Sequence, residues 1–287
     1  MAGSCCAASL LALCAVFACS DEVYIRLLEP RALPGAGATS PELDASTSDA
    51  SPPQDARTHG DADVAPPVPS VGLALRYDFG GTGARVLDRI GDAHAEVLGG
   101  AQLDEQGGLT LDGENDYVDM PNGIVSRLDS ASFVVWLEWL GTLCWQRVFD
   151  FGISDAGEGR VGNAVTSLFM TPESCGRDVF MVSAEFSGAM HNLFDDAPLP
   201  RERPIQVALT IDVERDAMTM FIDGARVAQG AAAFRLRDID DRNNWLGRSQ
   251  WVQDLMMNAR YDEFRIYDRA LSESEVAALY ARGPDRP

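Results

Sequence analysis

Lysine is absent from this sequence of 287 residues, and all 23 basic side chains are arginines. We interpret this absence as the coding bias of a GC-rich genome. The 44 acidic residues outnumber the arginines and give a formal net charge of −21. Because such a surface repels phosphate groups, the composition argues against a nucleic-acid partner and against attraction to anionic lipid headgroups. It is compatible with divalent cations, and equally with charges that only keep the chain soluble.

Long hydrophobic runs are also missing. The apolar run at residues 5–18 is too short to span a bilayer as a helix, which needs about 20 residues. It fits the apolar core of a signal peptide, and its end, Ala18-Cys19, resembles a bacterial lipobox. We therefore expect a signal peptide at residues 1–19 and lipidation of Cys19, which would anchor the protein to the membrane through acyl chains. Cleavage without lipidation and an uncleaved apolar tail remain alternatives.

This leader predicts export to the bacterial cell envelope, as an outer-membrane lipoprotein, or release outside the cell. Residues 20–71 are predicted to be a disordered linker, since most of the segment is rich in Pro, Ala, Ser and Asp and almost lacks aromatic residues. Pro-rich chain stays extended, so the linker would act as a stalk. One domain is predicted at residues 72–284.

Cysteine is scarce in that domain, where only Cys144 and Cys175 occur. Two cysteines in an exported domain usually pair, so we predict a disulfide between them. It would close a loop of about 30 residues and contribute roughly 3–4 kcal/mol to stability. The domain sequence contains no CxxC pair and no Cys/His spacing typical of a metal site.

Short strands separated by turn residues dominate the domain. Leu73–Phe79 alternates between apolar and polar side chains, and Ser132–Leu140 is apolar on both faces, as a central strand between two layers would be. Asp223-Gly224 favours a two-residue hairpin turn. The last predicted strand is Arg260–Tyr267. This pattern predicts an all-β fold, an antiparallel β-sandwich of two sheets.

One short helix is predicted at the C-terminal end. Ser272 and Glu275 have the spacing of a capping box, in which each side chain bonds to the other residue's backbone N–H. Val276, Leu279 and Tyr280 follow as an apolar stripe at helical spacing, and Gly283-Pro284 end the helix.

Three ordered segments carry a resemblance to a known family. Residues 109–118 (LTLDGENDYV), 245–249 (WLGRS) and 261–272 (YDEFRIYDRALS) are similar to conserved patterns of the laminin-G-like, concanavalin A-like lectin/glucanase domains of bacterial surface proteins. The resemblance covers about residues 72–284 and departs around 140–200. It implies a jelly roll of two curved sheets, often with a calcium ion, that binds sugars, proteins or metals.

Catalysis is not predicted for this domain. Glycoside hydrolysis needs two carboxylates, which a sandwich commonly supplies from one strand as Glu-x-Asp-x-x-Glu, and the sequence contains no such string. Of the histidines in the domain, His94 and His191, neither lies in a recognisable nucleophile context.

Calcium, in a structural role, is the cofactor that the sequence favours, because loop carboxylates supply the oxygen ligands that the ion prefers. Asp78 and Asp262 lie on the first and last strands, which we expect to be neighbours, and Asp112 and Asp116 surround a turn. The alternatives are that Asp112 and Asp116 bond to their own backbone and that Asp262 pairs with an arginine.

Carbohydrate binding requires exposed aromatic side chains beside polar groups. Trp251, in the loop after Arg248, and Trp145, beside Cys144, are the predicted ligand contacts together with Arg248. The remaining tryptophans, Trp136, Trp139 and Trp245, are expected to be buried. These residues favour a cell-surface module that binds a glycan or an extracellular protein. A polysaccharide hydrolase or lyase, and a structural protein without a ligand, are the alternatives.

Overall fold

The computed structural model describes residues 69–186 and 188–285. The predicted signal peptide, Cys19 and the linker up to residue 68 lie outside these residues. Within the described ranges, no helix combines the length and the apolar character that crossing a membrane requires.

Strands are the main secondary structure of the described chain, which ends in one α-helix and contains a 3-10 turn at Leu236–Asp238. In chain order the elements are β1 (Leu73–Tyr77), β2 (Arg85–Val86), β3 (Ala95–Leu98), β4 (Leu109–Asp112), β5 (Tyr117–Met120), β6 (Ala131–Trp139), β7 (Phe149–Ser154), β8 (Ala164–Ser174), β9 (Val179–Phe186), β10 (Ala189–Phe194), β11 (Pro204–Asp212), β12 (Ala217–Ile222), β13 (Ala225–Ala231), β14 (Asn243–Leu246), β15 (Asn258–Tyr267) and α1 (Glu273–Arg282).

These strands form two antiparallel sheets, which confirms the predicted sandwich. The seven-stranded sheet has the order β1-β15-β6-β11-β12-β13, with β4 also paired to β15. The eight-stranded sheet has the order β10-β9-β8-β7-β14-β5-β3-β2. The first and last predicted strands are neighbours, since Tyr77 lies opposite Phe264.

The core lies between the two sheets, where aromatic side chains from both meet. Phe133 of β6 contacts Phe149 and Phe151 of β7, with ring centroids 5.5 and 5.4 Å apart. All three side chains are fully buried. Because successive residues of a strand face opposite sides of a sheet, Asp150, between the two β7 phenylalanines, faces away from this core.

The C-terminal helix α1 begins as predicted. The Ser272 side chain accepts from the Glu275 backbone N–H, and the Glu275 side chain accepts from the Ser272 N–H. Hydrogen bonds from Arg269 are the largest of the effects that hold the pKa of Glu275 at about 2. Leu279 is buried against the seven-stranded sheet, but Tyr280 is 45% exposed, so its place in the apolar stripe was wrong.

Candidate ligand-binding site

Asp150 belongs to a row of side chains that crosses the eight-stranded sheet on the face opposite the core. It lies opposite Trp245 of β14 and Phe169 of β8. Trp245 in turn lies opposite Asp119 of β5 and donates its Nε1–H to Asp119 Oδ1 at 2.9 Å. Asp150, Trp245 and Phe169 are buried although they face away from the core. Another part of the chain must therefore cover them.

The covering segment is the loop after β14, residues 248–254. The Gln250 backbone N–H donates to Asp150 Oδ2 at 3.0 Å, so the loop is bonded directly to the buried row. Within the loop, Ser249 Oγ donates to Asp254 Oδ2 at 2.8 Å. The loop is thus fixed by hydrogen bonds at its start and at its end.

Trp251 lies at the centre of this loop. Gly162 bonds to the loop on both sides of it, because the Gly162 N–H donates to the Gln250 carbonyl at 2.8 Å and its carbonyl accepts from the Val252 N–H at 2.9 Å. The Trp251 ring packs edge-on against Phe169, with centroids 5.4 Å apart. These contacts place the indole on the outer face of the eight-stranded sheet.

A cavity of about 470 Å³ opens beside this indole, and we call it the tryptophan cavity. It brings together Trp145 and Trp251, the two aromatic residues that the sequence suggested as ligand contacts. Both side chains are half-buried, so part of each indole remains accessible. The residues that line the cavity are Trp145, Arg147, Phe169, Glu185, Met190, Trp251, Gln253 and Asp254.

Arg147 is the residue that connects the aromatic walls. Its guanidinium carbon lies 4.1 Å from the centroid of Phe169, 5.4 Å from that of Trp251 and 5.6 Å from that of Trp145. A cation close to aromatic rings is attracted by their negative faces, more strongly when water is excluded, and the Arg147 side chain is only 2% exposed. Its Nη1–H also donates to the Trp145 carbonyl at 2.9 Å.

Two carboxylates compensate the buried charge of Arg147. Its Nη2–H donates to Asp254, and its Nε lies 3.4 Å from Asp150 Oδ2. Burial lowers the pKa of Arg147, and the attraction of Asp254 and Asp150 opposes that effect. Burial also raises the pKa of Asp150, to about 7, because desolvation outweighs the influence of Arg147 and of the Gln250 N–H.

The predicted disulfide is present and lies next to the cavity. Cys144 and Cys175 are bonded, with their Cα atoms 5.3 Å apart. The next residue, Trp145, donates its N–H to the Glu173 carbonyl at 2.9 Å. Its φ of 57° is in the left-handed region that bulky residues rarely adopt, so these neighbours hold a strained position. The disulfide therefore helps to place one wall of the cavity.

Arg248, the third predicted ligand contact, does not line the tryptophan cavity. Its guanidinium lies 4.3 Å from the Trp245 ring centroid and 4.4 Å from that of Tyr117. It therefore shields the buried Trp245 on its outer side. Trp136 and Trp139 are buried as expected, as is Trp245.

The carboxylates proposed for calcium are engaged by groups of the protein. Asp78 accepts from Arg89 Nε at 2.8 Å and from the Gly80 N–H at 3.1 Å. Asp262 lies 3.3 Å from Arg260 Nε, the arginine pairing that was the alternative interpretation. These contacts lend no support to a calcium site at Asp78 and Asp262.

The second pair of carboxylates bonds to backbone groups. Asp112 Oδ1 accepts from the Glu114 N–H at 2.8 Å, and Asp116 Oδ1 accepts from the Ala101 N–H at 2.9 Å. In residues 69–186 and 188–285, no three His, Cys, Asp or Glu side chains gather as metal ligands. Calcium binding stays a prediction without support from these contacts.

Sequence reasoning missed six of the cavity residues: Arg147, Phe169, Glu185, Met190, Gln253 and Asp254. The nearest signal was Arg147, which lies two positions after Trp145 and just before β7 begins at Phe149. Glu185 and Met190 face each other on β9 and β10, and β10 was not predicted.

Solved structures with a similar fold include both enzymes and binding domains. Domain 4 of a GH43 extracellular arabinanase from Geobacillus stearothermophilus, in complex with arabinotriose, is 17% identical with a TM-score of 0.57, over 71% of this chain and 96% of that chain. Trypanosoma rangeli sialidase is 15% identical with a TM-score of 0.56, over 74% of this chain and 33% of that chain. The binding domain of Botulinum neurotoxin DC, in complex with rat synaptotagmin II, is 14% identical with a TM-score of 0.55, over 74% of this chain and 52% of that chain.

At such low identities these likenesses show the fold alone, and this chain spans only a third of the sialidase. None of the curated proteins matches the chain. A family model for laminin G domains, described as the concanavalin A-like lectin/glucanases superfamily, matches residues 112–277, which is more than half of the sequence. The protein therefore belongs to the laminin G-type family within the concanavalin A-like lectin/glucanases superfamily.

Proposed function

We propose that this domain is a non-catalytic module that binds a carbohydrate against Trp145 and Trp251. The observation that carries the proposal is the meeting of these two half-buried indoles in one cavity. Flat aromatic faces cover the apolar side of a sugar ring, and a few polar groups then fix its hydroxyls. Gln253 and Glu185 supply such groups in the lining.

A binding role is supported by the distribution of carboxylates. Hydrolysis of a glycosidic bond uses two of them, one as acid and one as base or nucleophile. In the lining of the tryptophan cavity, Asp254 is bonded to Arg147 and Ser249, which leaves Glu185 as the other carboxylate. A single unengaged carboxylate supports recognition rather than hydrolysis.

The solved structures of similar fold support a ligand in general. The arabinanase domain was solved with arabinotriose, and the toxin binding domain with a protein, synaptotagmin. For this chain we favour the carbohydrate because of the paired indoles. An extracellular protein partner is the outcome that would replace it. We further propose that the domain is exported and anchored at the cell envelope through Cys19, which lies outside the described residues.

A glycan array followed by calorimetry on the best oligosaccharide tests the binding role. We expect the Trp251→Ala variant to lose at least about tenfold in affinity, which is about 1.4 kcal/mol. Val252→Ala is the matched control, because Val252 is 64% exposed, adjacent in sequence and outside the cavity lining. Thermal melting of each variant separates loss of contact from loss of fold.

Two results would overturn the proposal. One is an array without any bound glycan when the melting curve shows a folded protein. The other is equal affinity of Trp251→Ala and the parent chain. Release of reducing sugars from a polysaccharide panel would replace it with the enzymatic alternative.

A further inference from the structure

The charges of the tryptophan cavity are unequally compensated. The guanidinium of Arg147 donates from Nη1 to the Trp145 carbonyl and from Nη2 to Asp254, and its Nε lies 3.4 Å from Asp150 Oδ2 in an ion pair without a hydrogen bond. With its side chain only 2% exposed, it offers almost no accessible surface to an anionic ligand. The cation of the lining is thus already neutralised by the protein.

Glu185 is in the opposite situation. Within residues 69–186 and 188–285, no arginine or histidine forms an ion pair with its carboxylate, and no described group donates a hydrogen bond to it. Burial raises the pKa of Glu185, and no neighbouring cation counters that effect. A half-buried carboxylate beside aromatic walls is a poor neighbour for another anion and a favourable partner for a cation.

We propose, as an extension of the carbohydrate-binding role above, that the cavity selects glycans carrying a free amino group, whose ammonium pairs with Glu185. The half-buried indoles add to this preference, because a cation near the exposed face of Trp145 or Trp251 is attracted by it. The formal net charge of −21 also raises the local concentration of cationic ligands. Uronates and sulfated sugars are rejected, since Glu185 repels them and Arg147 is buried and paired with Asp150 and Asp254.

The test compares two ligands that differ only at the amino group and adds a third that is anionic. The full chain is titrated near neutral pH with a glucosamine oligomer, with the N-acetylglucosamine oligomer of equal length, and with an oligogalacturonate. We expect the amino-bearing oligomer to bind at least about tenfold more tightly than the acetylated one, and the uronate not to bind. Added salt should reduce the difference, because screening weakens a charge pair.

The Glu185→Gln variant assigns the preference to one residue. It should bind both glucosamine-based oligomers with similar affinity, whereas Glu105→Gln, which removes one charge at an exposed position outside the lining, should keep the full preference. The comparison of ligands on the parent chain does not depend on how the variant folds.

The outcomes separate this inference from the proposal on which it rests. Equal or tighter binding of the acetylated oligomer by the parent chain would overturn the amino-group selectivity and leave carbohydrate binding intact. Selectivity that survives in Glu185→Gln would overturn the role of Glu185. A folded parent chain that binds no glycan on the array would remove both proposals.

Discussion

The buried carboxyl group of Asp150 should make stability depend on pH in a defined direction. Burial raises its pKa from 3.8 to about 7 in the folded chain. The folded protein then holds a proton that the unfolded chain releases above about pH 4, so the stability that this group contributes is complete below that pH and is lost as the pH rises to about 7. The whole difference corresponds to about 4 kcal/mol.

Asp150→Asn removes this titration, and its amide oxygen can still accept from the Gln250 N–H. We expect the variant and the parent chain to have similar unfolding free energies near pH 4, and the variant to be the more stable by up to about 4 kcal/mol near pH 8. Urea denaturation followed by tryptophan fluorescence at a series of pH values measures both curves. Asp129→Asn, at an exposed position, is the control. Parallel curves for Asp150→Asn and the parent chain between these pH values would refute the reasoning.

Two further predictions concern the cysteines. Replacement of Cys144 and Cys175 by serine should lower the unfolding free energy by roughly 3–4 kcal/mol, since their separation of 31 residues sets the entropy of the open loop, and should weaken glycan binding by releasing Trp145. Denaturation and calorimetry of the double variant check this, and unchanged affinity would contradict the positioning role of the disulfide. Cys19→Ser should move the protein from the membrane fraction to the soluble fraction of the native host. Persistent membrane association would contradict the lipid anchor.

Much of the fold could be predicted from local sequence signals. The hairpin predicted at Asp223-Gly224 joins β12 and β13, and both residues have positive φ values, 49° and 76°. The C-terminal capping box formed because its bonds involve neighbouring residues only. Signals of this kind need no knowledge of distant contacts, which is why they identified strands, turns and the helix.

The strands of residues 140–200 were harder to predict from the sequence. The resemblance was expected to depart there, but the family match at residues 112–277 runs through this region, and β7–β10 form a continuous half of the eight-stranded sheet. The edge strand β10 contains His191 and Asn192 and is mostly exposed or half-buried, so it lacks the apolar alternation that marks a strand. β8 contains Pro172, which weakens a strand assignment although the strand runs from Ala164 to Ser174.

Only part of the candidate site could be predicted from the sequence, because its assembly depends on contacts between distant segments. Trp145 and Trp251 could be singled out individually, because each lies in a polar or cysteine-flanked loop rather than in an apolar strand. That they share one cavity depends on the pairing of Gly162 with the Trp251 loop, a contact between segments far apart in the chain. Two other predicted site residues lie outside the cavity: Arg248 packs on Trp245 and on Tyr117, which is distant in the chain, and Asp262 pairs with Arg260.

Arg147 shows most clearly what a local reading of sequence cannot supply. An arginine is almost never fully buried without a partner, so its sequence context predicts exposure or a strand edge. Its burial is tolerable because Asp150 lies three residues on, in β7, and Asp254 lies in the loop after β14, and each carboxylate offsets part of the desolvation cost. The same loop carries Trp251. The ion cluster and the aromatic wall are therefore consequences of one long-range contact, and the cavity exists only where that contact forms.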